Sequence, residues 1–320
     1  MLMEQKLILN TELVFLEETK YIWMNGKMVA WKDATTHFLT HTLHYGGGVF
    51  EGIRAYETDK GPAIFRLEEH IKRLFYSASI LGMKIPFTEK EIFDATVKTV
   101  KENEVKSCYI RPLAYYGYGK MGIDTTGAKV DIGIAVWPWG AYLGKEGVEN
   151  GVGIKISPFL RPSSDSMPTN AKVTGNYANS IMAKMDAINT GYADALLLDR
   201  DGNIAECSGE NMFFVKKGVL ITPTTKNCLK GITRESVMEI ARDIGMKVVE
   251  KTVTKKQMFE MDEAFMTGTA AELTPVASVD KKKIGNGKPG PFTKKIQGIY
   301  FGAVRGTEKK YVKWLTYANQ

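Results

Sequence analysis

The stretch that decides the reading of this chain is "PTNAKVTGNYANSIMAK", from Pro168 to Lys184. It holds two lysines in different settings. Lys172 sits among small and β-branched residues and is followed by Gly175, Asn176 and Tyr177, whereas Lys184 falls on the polar face of what has by then become a helix. A lysine on a polar helix face is ordinarily solvated. A lysine partly withdrawn from water, close to another cation, loses its proton readily and serves as a nucleophile or proton carrier. Which lysine does chemistry depends on what the rest of the chain places around it.

Outward from this stretch the second half alternates strands and helices. "VGIKISPFL" (152–160) and "YADALLLD" (192–199) read as strands, and "DRDGN" (199–203) as a turn. "NMFFVKKGVLIT" (211–222) reads as a hairpin turning at Lys217–Gly218. "TRESVMEIARDIG" (233–245) reads as a helix with Thr233 as N-cap and Gly245 as its stop. "EAFMTGTAAELTPV" (263–276) is a strand with a Gly-centred turn, and "GPFTKKIQGIYFGAVRG" (290–306) a helix. The first half is α+β. It has a hairpin at Asn25–Gly26, a helix over 67–81, a capping box at Thr88 and Glu91, and strands in "SCYIRPLAYY" (107–116) and "DIGIAVWPW" (131–139). Between the halves, "PWGAYLGKEGVENG" (138–151) breaks the pattern with Pro and Gly. The expected division is therefore a small domain over 1–137, an interdomain loop over 138–150 and a larger domain over 151–320.

Composition excludes several classes. With 44% hydrophobic and 25% charged residues and no apolar run of membrane length, the chain reads as globular and cytoplasmic. The start, "MLMEQKLILNTELVFLEETK", lacks the basic and long apolar regions of a signal peptide. The net charge of +7 comes from lysines interleaved with acids, as on solvated faces, so no nucleic-acid partner is expected. Cys108, Cys207 and Cys228 are odd in number and far apart, which argues against disulfides and against a cysteine metal site.

Several features carry possible chemistry, each with a plainer reading beside it. His37, His41 and His44 would share a helix face, but their segment is Thr-rich, runs into Gly46–Gly48 and contains no HExxH, so no metal is expected. The three glycines form either a turn or a place of close backbone approach. "LKGITRES" brings Gly231, Ile232 and Thr233 to a helix start, where free N–H groups favour an anion, and "MTGTAAE" offers Thr267 and Thr269 around a glycine. Each alone is an ordinary cap or turn. Arg73 pairs with such an anion or is solvated. Glu206, between apolar neighbours, is a rim charge or is held against a cation.

Taken in order, "HYGGGVFEGIRAY", "FRLEEHIKRL", "YIRP", "PWGAYLG", "AKVTGNY", "AECSGENMF", "LKGITRE" and "MTGTAAELTPV" resemble the branched-chain amino-acid aminotransferases, which are fold type IV pyridoxal-phosphate enzymes. The resemblance runs from about Tyr21 to about Gly306 and implies an α/β enzyme with its site between two domains. It makes Lys172 the Schiff-base lysine and gives Lys184 no catalytic position. It also implies that Glu206 faces the cofactor's pyridine nitrogen, that Tyr177 bonds its phenolic oxygen, and that Leu229 packs on its ring. Arg73, Ile232, Thr233 and Thr269 would hold the phosphate. Tyr45, Phe50, Tyr109, Arg111, Trp139, Tyr142 and Ala270 would surround the substrate, with Arg111 meeting the distal carboxylate of glutamate. Met121 and Ile123 would complete the pocket of a neighbouring subunit in a homo-oligomer. The implied reaction moves the amino group between leucine, isoleucine or valine and 2-oxoglutarate. Gly47, Gly48, Cys207 and Lys230 depart from the family pattern without removing a catalytic role. Other fold type IV activities (D-amino-acid or (R)-amine transaminase, aminodeoxychorismate lyase) stand as alternatives, as does a non-catalytic phosphate-ligand binding protein.

Overall fold

The computed structural model describes residues 16–140 and 142–319; most of the N-terminal stretch discussed above, residues 1–15, lies outside them. In chain order the first half contains β1 (Tyr21–Met24), β2 (Lys27–Ala30), α1 (His41–Tyr45), β3 (Gly48–Phe50), β4 (Ile53–Tyr56), β5 (Ala63–Phe65), α2 (Leu67–Ile80), α3 (Glu89–Glu102), β6 (Cys108–Tyr116) and β7 (Val130–Trp137). The second half contains α4 (Gly144–Asn150), β8 (Val152–Ile156), α5 (Tyr177–Asn189), β9 (Asp194–Leu198), β10 (Ile204–Cys207), β11 (Asn211–Lys216), β12 (Val219–Thr222), α6 (Ile232–Asp243), β13 (Val248–Glu250), α7 (Lys255–Met258), β14 (Glu263–Gly268), β15 (Glu272–Val279), β16 (Lys282–Lys283), α8 (Pro291–Val304) and β17 (Leu315–Tyr317).

These strands form two sheets. The first has the order β17-β5-β4-β6-β7-β1-β2, with β3 also on β6. The second runs β10-β9-β8-β15-β14-β11-β12-β13, with β16 on β15. The first buries one apolar side against α2 and α3, through Ile53, Ile71, Leu74, Ile92, Ile110 and Ile134. Most of the second sheet's strands are buried on both faces, which is why they read as continuous apolar runs rather than alternating ones.

Three local expectations change. The connection over 138–150 is not all loop, because 144–150 forms α4 and packs on β15. The chain end returns to the first sheet, where β17 pairs with β5, so this sheet draws on both ends of the sequence. Finally, α1 is helical over His41–Tyr45 despite its threonines. His41 Nε2 lies 2.8 Å from the Gly122 carbonyl, and the helix stops at Gly46 in the left-handed region. Among the described residues, no three His, Cys, Asp or Glu side chains are grouped to hold a metal, and no helix is long and apolar enough to cross a membrane.

One buried contact ties α8 to the strand that carries part of the site. Glu263 of β14 accepts from Thr293 N and Oγ1 (both 2.7 Å) and from Phe292 N (3.2 Å), so it caps a helix whose own N-cap, Gly290, has no side chain. Glu263→Ala is expected to lower unfolding stability by about 2 to 4 kcal/mol in urea titrations, since three donors lose a charged partner. Glu263→Gln should cost less than half as much.

Candidate active site

A cavity of about 600 Å³ opens between the two sheets, a volume suited to a small-molecule ligand. Its position follows from how the lysine segment crosses from one sheet to the other. Val173 bridges Val49 of β3, Phe50 N donates to Lys172 O (3.1 Å), and Lys172 N donates to Ser77 Oγ on α2 (2.9 Å). The glycine run makes this approach possible. A Cβ on Gly46 would stand 2.9 Å from the Gly175 Cα, and Thr174 Oγ1 reaches the Gly46 carbonyl at 2.6 Å. The lysine's backbone is thereby fixed by the first sheet while its sequence continues into α5 of the second half. Its Nζ donates to the Tyr177 hydroxyl at 2.5 Å, with the Phe50 ring 4.9 Å away.

Across the cavity Glu206 sits buried on β10. Its Oε1 lies 2.7 Å from Arg161 Nε, out of line for a hydrogen bond, and its Oε2 accepts from Leu229 N and Asn211 Nδ2 (both 3.2 Å). Burial pushes its carboxyl above the ordinary range, opposed by Arg161 and by the Leu229 N–H. The rim-charge reading of Glu206 is thus excluded.

The anion-binding end is built from α6. Thr233 is not its N-cap: Gly231 takes that place in extended conformation, because a Cβ there would meet Asn211 Oδ1 at 2.1 Å. No side chain caps the helix, so its first N–H groups keep their capacity for a ligand, and Thr233 lies buried in the first turn, lining the cavity. Thr267 Oγ1, buried and lining the same cavity with Thr269, has no hydrogen-bond partner. Arg73 also lines the cavity, but it is not a lone solvated arginine. Glu51, fully buried, accepts from its Nε (2.6 Å) and Nη2 (2.8 Å) and contacts His70 Nδ1 (2.7 Å). Burial alone would raise the Glu51 carboxyl, but Arg73 and His70 together hold it well below the usual carboxylate range. Burial lowers His70, opposed by its contact with Glu51.

Phe50, Tyr109, Arg111, Trp139, Tyr142 and Ala270 line the remaining wall. The Arg111 guanidinium lies over Phe50 (4.7 Å), Tyr109 (5.3 Å) and Trp137 (5.7 Å), and its Nε is buried without a partner. No carboxylate pairs with it among the described residues, so it does not tie a strand end to a neighbouring acid. Tyr45 is the exception to the expected set. At the end of α1 it is exposed and lies against the His41 ring, outside this cavity. Met121 and Ile123 are exposed and also outside it.

Sequence reasoning missed Arg161, Arg54 and the wall around Lys184. Arg54 donates to the carbonyls of Thr269, Trp139, Gly140 and Ala270 at 2.9 to 3.1 Å, fastening the 138–140 bridge to the 269–270 turn. Its four acceptors are backbone oxygens, which leave no trace in sequence. Lys184 does not lie on a solvated face. The cavity side of α5 mixes Tyr177, Ser180 and Lys184 with Ile181 and Met185, and Lys184 lines the wall and pairs with buried Asp194 at 2.7 Å.

Comparison with known proteins agrees with this geometry. The amino-transferase class IV family matches residues 48–279. A Pseudomonas aeruginosa branched-chain-amino-acid aminotransferase is 49% identical over 295 residues, covering 92% of this chain and 96% of that one. A solved structure of the Escherichia coli branched-chain amino acid aminotransferase has a TM-score of 0.92 at 42% identity, covering 94% of this chain and 100% of that one. Another, of the branched-chain amino acid aminotransferase from Thermobaculum terrenum in its PLP-form, has a TM-score of 0.88 at 36% identity. It covers 94% of this chain and 99% of that one. The chain belongs to the class IV amino-transferases, and within them to the branched-chain-amino-acid aminotransferases.

The buried acids of the wall predict a pH dependence. Burial, then the nearby Asp194 charge, pushes Glu210 up to about 8 from an ordinary 4.5. Between those values the folded protein keeps a proton that the unfolded chain has shed, so stability falls as pH rises through this window. Glu210→Gln should match wild type near pH 5 and be the more stable of the two at pH 9, read from melting temperatures across pH.

Proposed function

We propose that the enzyme moves the amino group between L-leucine, L-isoleucine or L-valine and 2-oxoglutarate, with pyridoxal 5′-phosphate held in the cavity. The observation that carries this reading is an aromatic slot beside Lys172 that also contains a half-buried guanidinium, Arg111, with no carboxylate partner among the described residues and an unpartnered Nε. Apolar rings suit a branched aliphatic side chain, and the guanidinium suits a distal carboxylate in the same slot.

The residues present fit the cofactor. The uncapped start of α6, Thr233, Thr269, the unpartnered Thr267 hydroxyl and Arg73 offer donors for a phosphate dianion. Glu206 supplies a buried carboxylate for a ring nitrogen and Tyr177 a hydroxyl for a phenolic oxygen, while Leu229 gives apolar contact. Bound there, the cofactor supplies an electron sink that acidifies the amino acid's Cα–H. The chain's own groups do the rest. Lys172 Nζ takes the proton from the substrate's Cα and, with the cofactor bound, would deliver it to the cofactor's C4′ carbon, the net shift that amino-group transfer requires. Tyr177 holds that amine in place through its hydroxyl. Glu206 places a carboxylate at the far wall, where Arg161 and the Leu229 N–H oppose the desolvation that raises it. The backbone N–H groups near Ala270, held by Arg54, are available to the substrate's α-carboxylate. Rings from Trp139 and Tyr142 give the slot an apolar wall.

The exposed Met121, Ile123 and Tyr45 support the further reading that a second copy of the chain covers this face and shares in its pocket. Three buried free cysteines are in keeping with a reducing, cytoplasmic location.

The test is a panel of L- and D-amino acids with 2-oxoglutarate. Turnover of the L-branched-chain set supports the reading; turnover of D-amino acids alone overturns it. Dual recognition is tested by Arg111→Met. Binding of 2-oxoglutarate should weaken by about 2 to 4 kcal/mol, as when one partner of a desolvated charge pair is lost. The leucine half-reaction, followed by cofactor absorbance in single turnover, should stay within about fivefold. Equal loss for leucine and glutamate would contradict the assignment.

A further inference from the structure

The cluster behind Tyr142 takes no part in the chemistry derived above, yet it forms one wall of the same cavity. Lys184 Nζ donates to Asp194 Oδ2 and to the Ala193 carbonyl, both at 2.7 Å. Asp194 is fully buried at the start of β9, and its Oδ1 accepts from Ala195 N (2.6 Å) and Ser208 N (3.4 Å). The ammonium is therefore held from below by an acid that cannot move. Above it lies the Tyr142 ring, with its centroid 4.9 Å from Nζ, within the range of cation–π attraction.

Tyr142 belongs to the bridge between the sheets. Its ring meets Trp139 edge-on at 5.5 Å, and Trp139 meets Tyr109 at 4.7 Å, so three rings in contact run along the substrate slot. The bridge is gripped at one end by Arg54, through the carbonyls of Trp139 and Gly140. Its other end has no such backbone grip among the described residues, and the Tyr142 side of it rests on Lys184. Tyr142 is 37% exposed, so apolar packing alone does not fix its ring. The other ionisable group nearby, Glu210, is pushed up to about 8 by burial and by the Asp194 charge, which weakens its competition for Lys184.

We propose that Lys184, anchored by Asp194, is a positioning residue that holds Tyr142 over the substrate slot and so sets substrate affinity. This rests on the slot assigned under the proposed function. Lys184 donates no proton and touches no reacting atom; it acts through Tyr142. Its loss should let the aromatic wall swing outward, so KM rises while kcat is kept.

The test uses the enzyme loaded with pyridoxal phosphate and the paired variant Lys184→Met with Asp194→Asn, which removes both charges together and leaves no buried carboxylate unpaired. KM for leucine and the dissociation constant of the unreactive analogue 4-methylvalerate, read from cofactor absorbance, should both rise about tenfold, with kcat within twofold. Lys184→Arg, which keeps the charge and the reach to Asp194, should recover most of the affinity. In a Tyr142→Leu background the paired substitution should have little further effect. KM and analogue binding within twofold of wild type in a folded variant would overturn the proposal. So would a fall in kcat as large as the rise in KM, or a full tenfold effect persisting without the Tyr142 ring. Wild type that fails to transaminate leucine would instead overturn the proposed function.

Discussion

The backbone pairing between β3 and the lysine segment is the constraint on which the rest of the site depends. Phe50 N on Lys172 O, the Val49–Val173 bridge and Lys172 N on Ser77 Oγ join a strand of the first sheet to a loop that leads into α5. These bonds lie where water is largely excluded, and breaking one leaves a donor or acceptor unpaired, so the geometry is held tightly. They decide that Lys172 enters the cleft between the sheets instead of lying on a surface. Lys184, twelve residues further along the chain, faces the same cleft from α5, held by a different partner. The two lysines are separated by their neighbours: among the described residues Lys172 Nζ meets the Tyr177 hydroxyl and the Phe50 ring but no carboxylate, whereas Lys184 is matched by a buried one.

The charges of the cavity follow one rule. Each buried carboxylate is matched by a cation or keeps its proton: Glu51 by Arg73, Glu206 by Arg161, Asp194 by Lys184, and Glu210 by protonation. Against that background Arg111 stands out, because its buried Nε has no partner. The Thr267 hydroxyl and the uncapped start of α6 are in the same condition. Unsatisfied donors that cluster in one cavity mark where a ligand's anionic groups belong, and here they mark two places, one for a phosphate and one for a carboxylate.

Local structure was largely legible in the sequence. The Asn25–Gly26 hairpin, the Thr88–Glu91 capping box and the turn at Lys217–Gly218 stand where short-range chemistry puts them. Lys172, Glu206, Tyr177, Thr233 and Arg111 were found because their motifs occur in a recognisable order, and the structure gathers them around one cavity. What sequence left unread depends on long-range contacts. Arg161 reaches Glu206 across 45 positions, and Arg54 grips carbonyls that any residue would provide. Lys184 was misplaced because helical periodicity identifies a polar face without saying whether that face meets water or a cavity. Tyr45 lies outside the cavity of its own chain, and no short-range pattern tells whether a side chain serves its own pocket or a neighbour's. The return of β17 to the first sheet is a matter of topology, and nothing in "LTY" announces it.

The central claim is that Lys172, and not the nearby Lys184, is the amine at which the chemistry takes place. Borohydride reduction of the enzyme loaded with pyridoxal phosphate, followed by proteolysis and mass mapping, tests it directly. The account predicts that the phosphopyridoxyl group becomes fixed to Lys172 alone, in wild type and in the Lys184→Met, Asp194→Asn variant alike. Recovery of the label on Lys184, or its even spread over both lysines, would contradict the account.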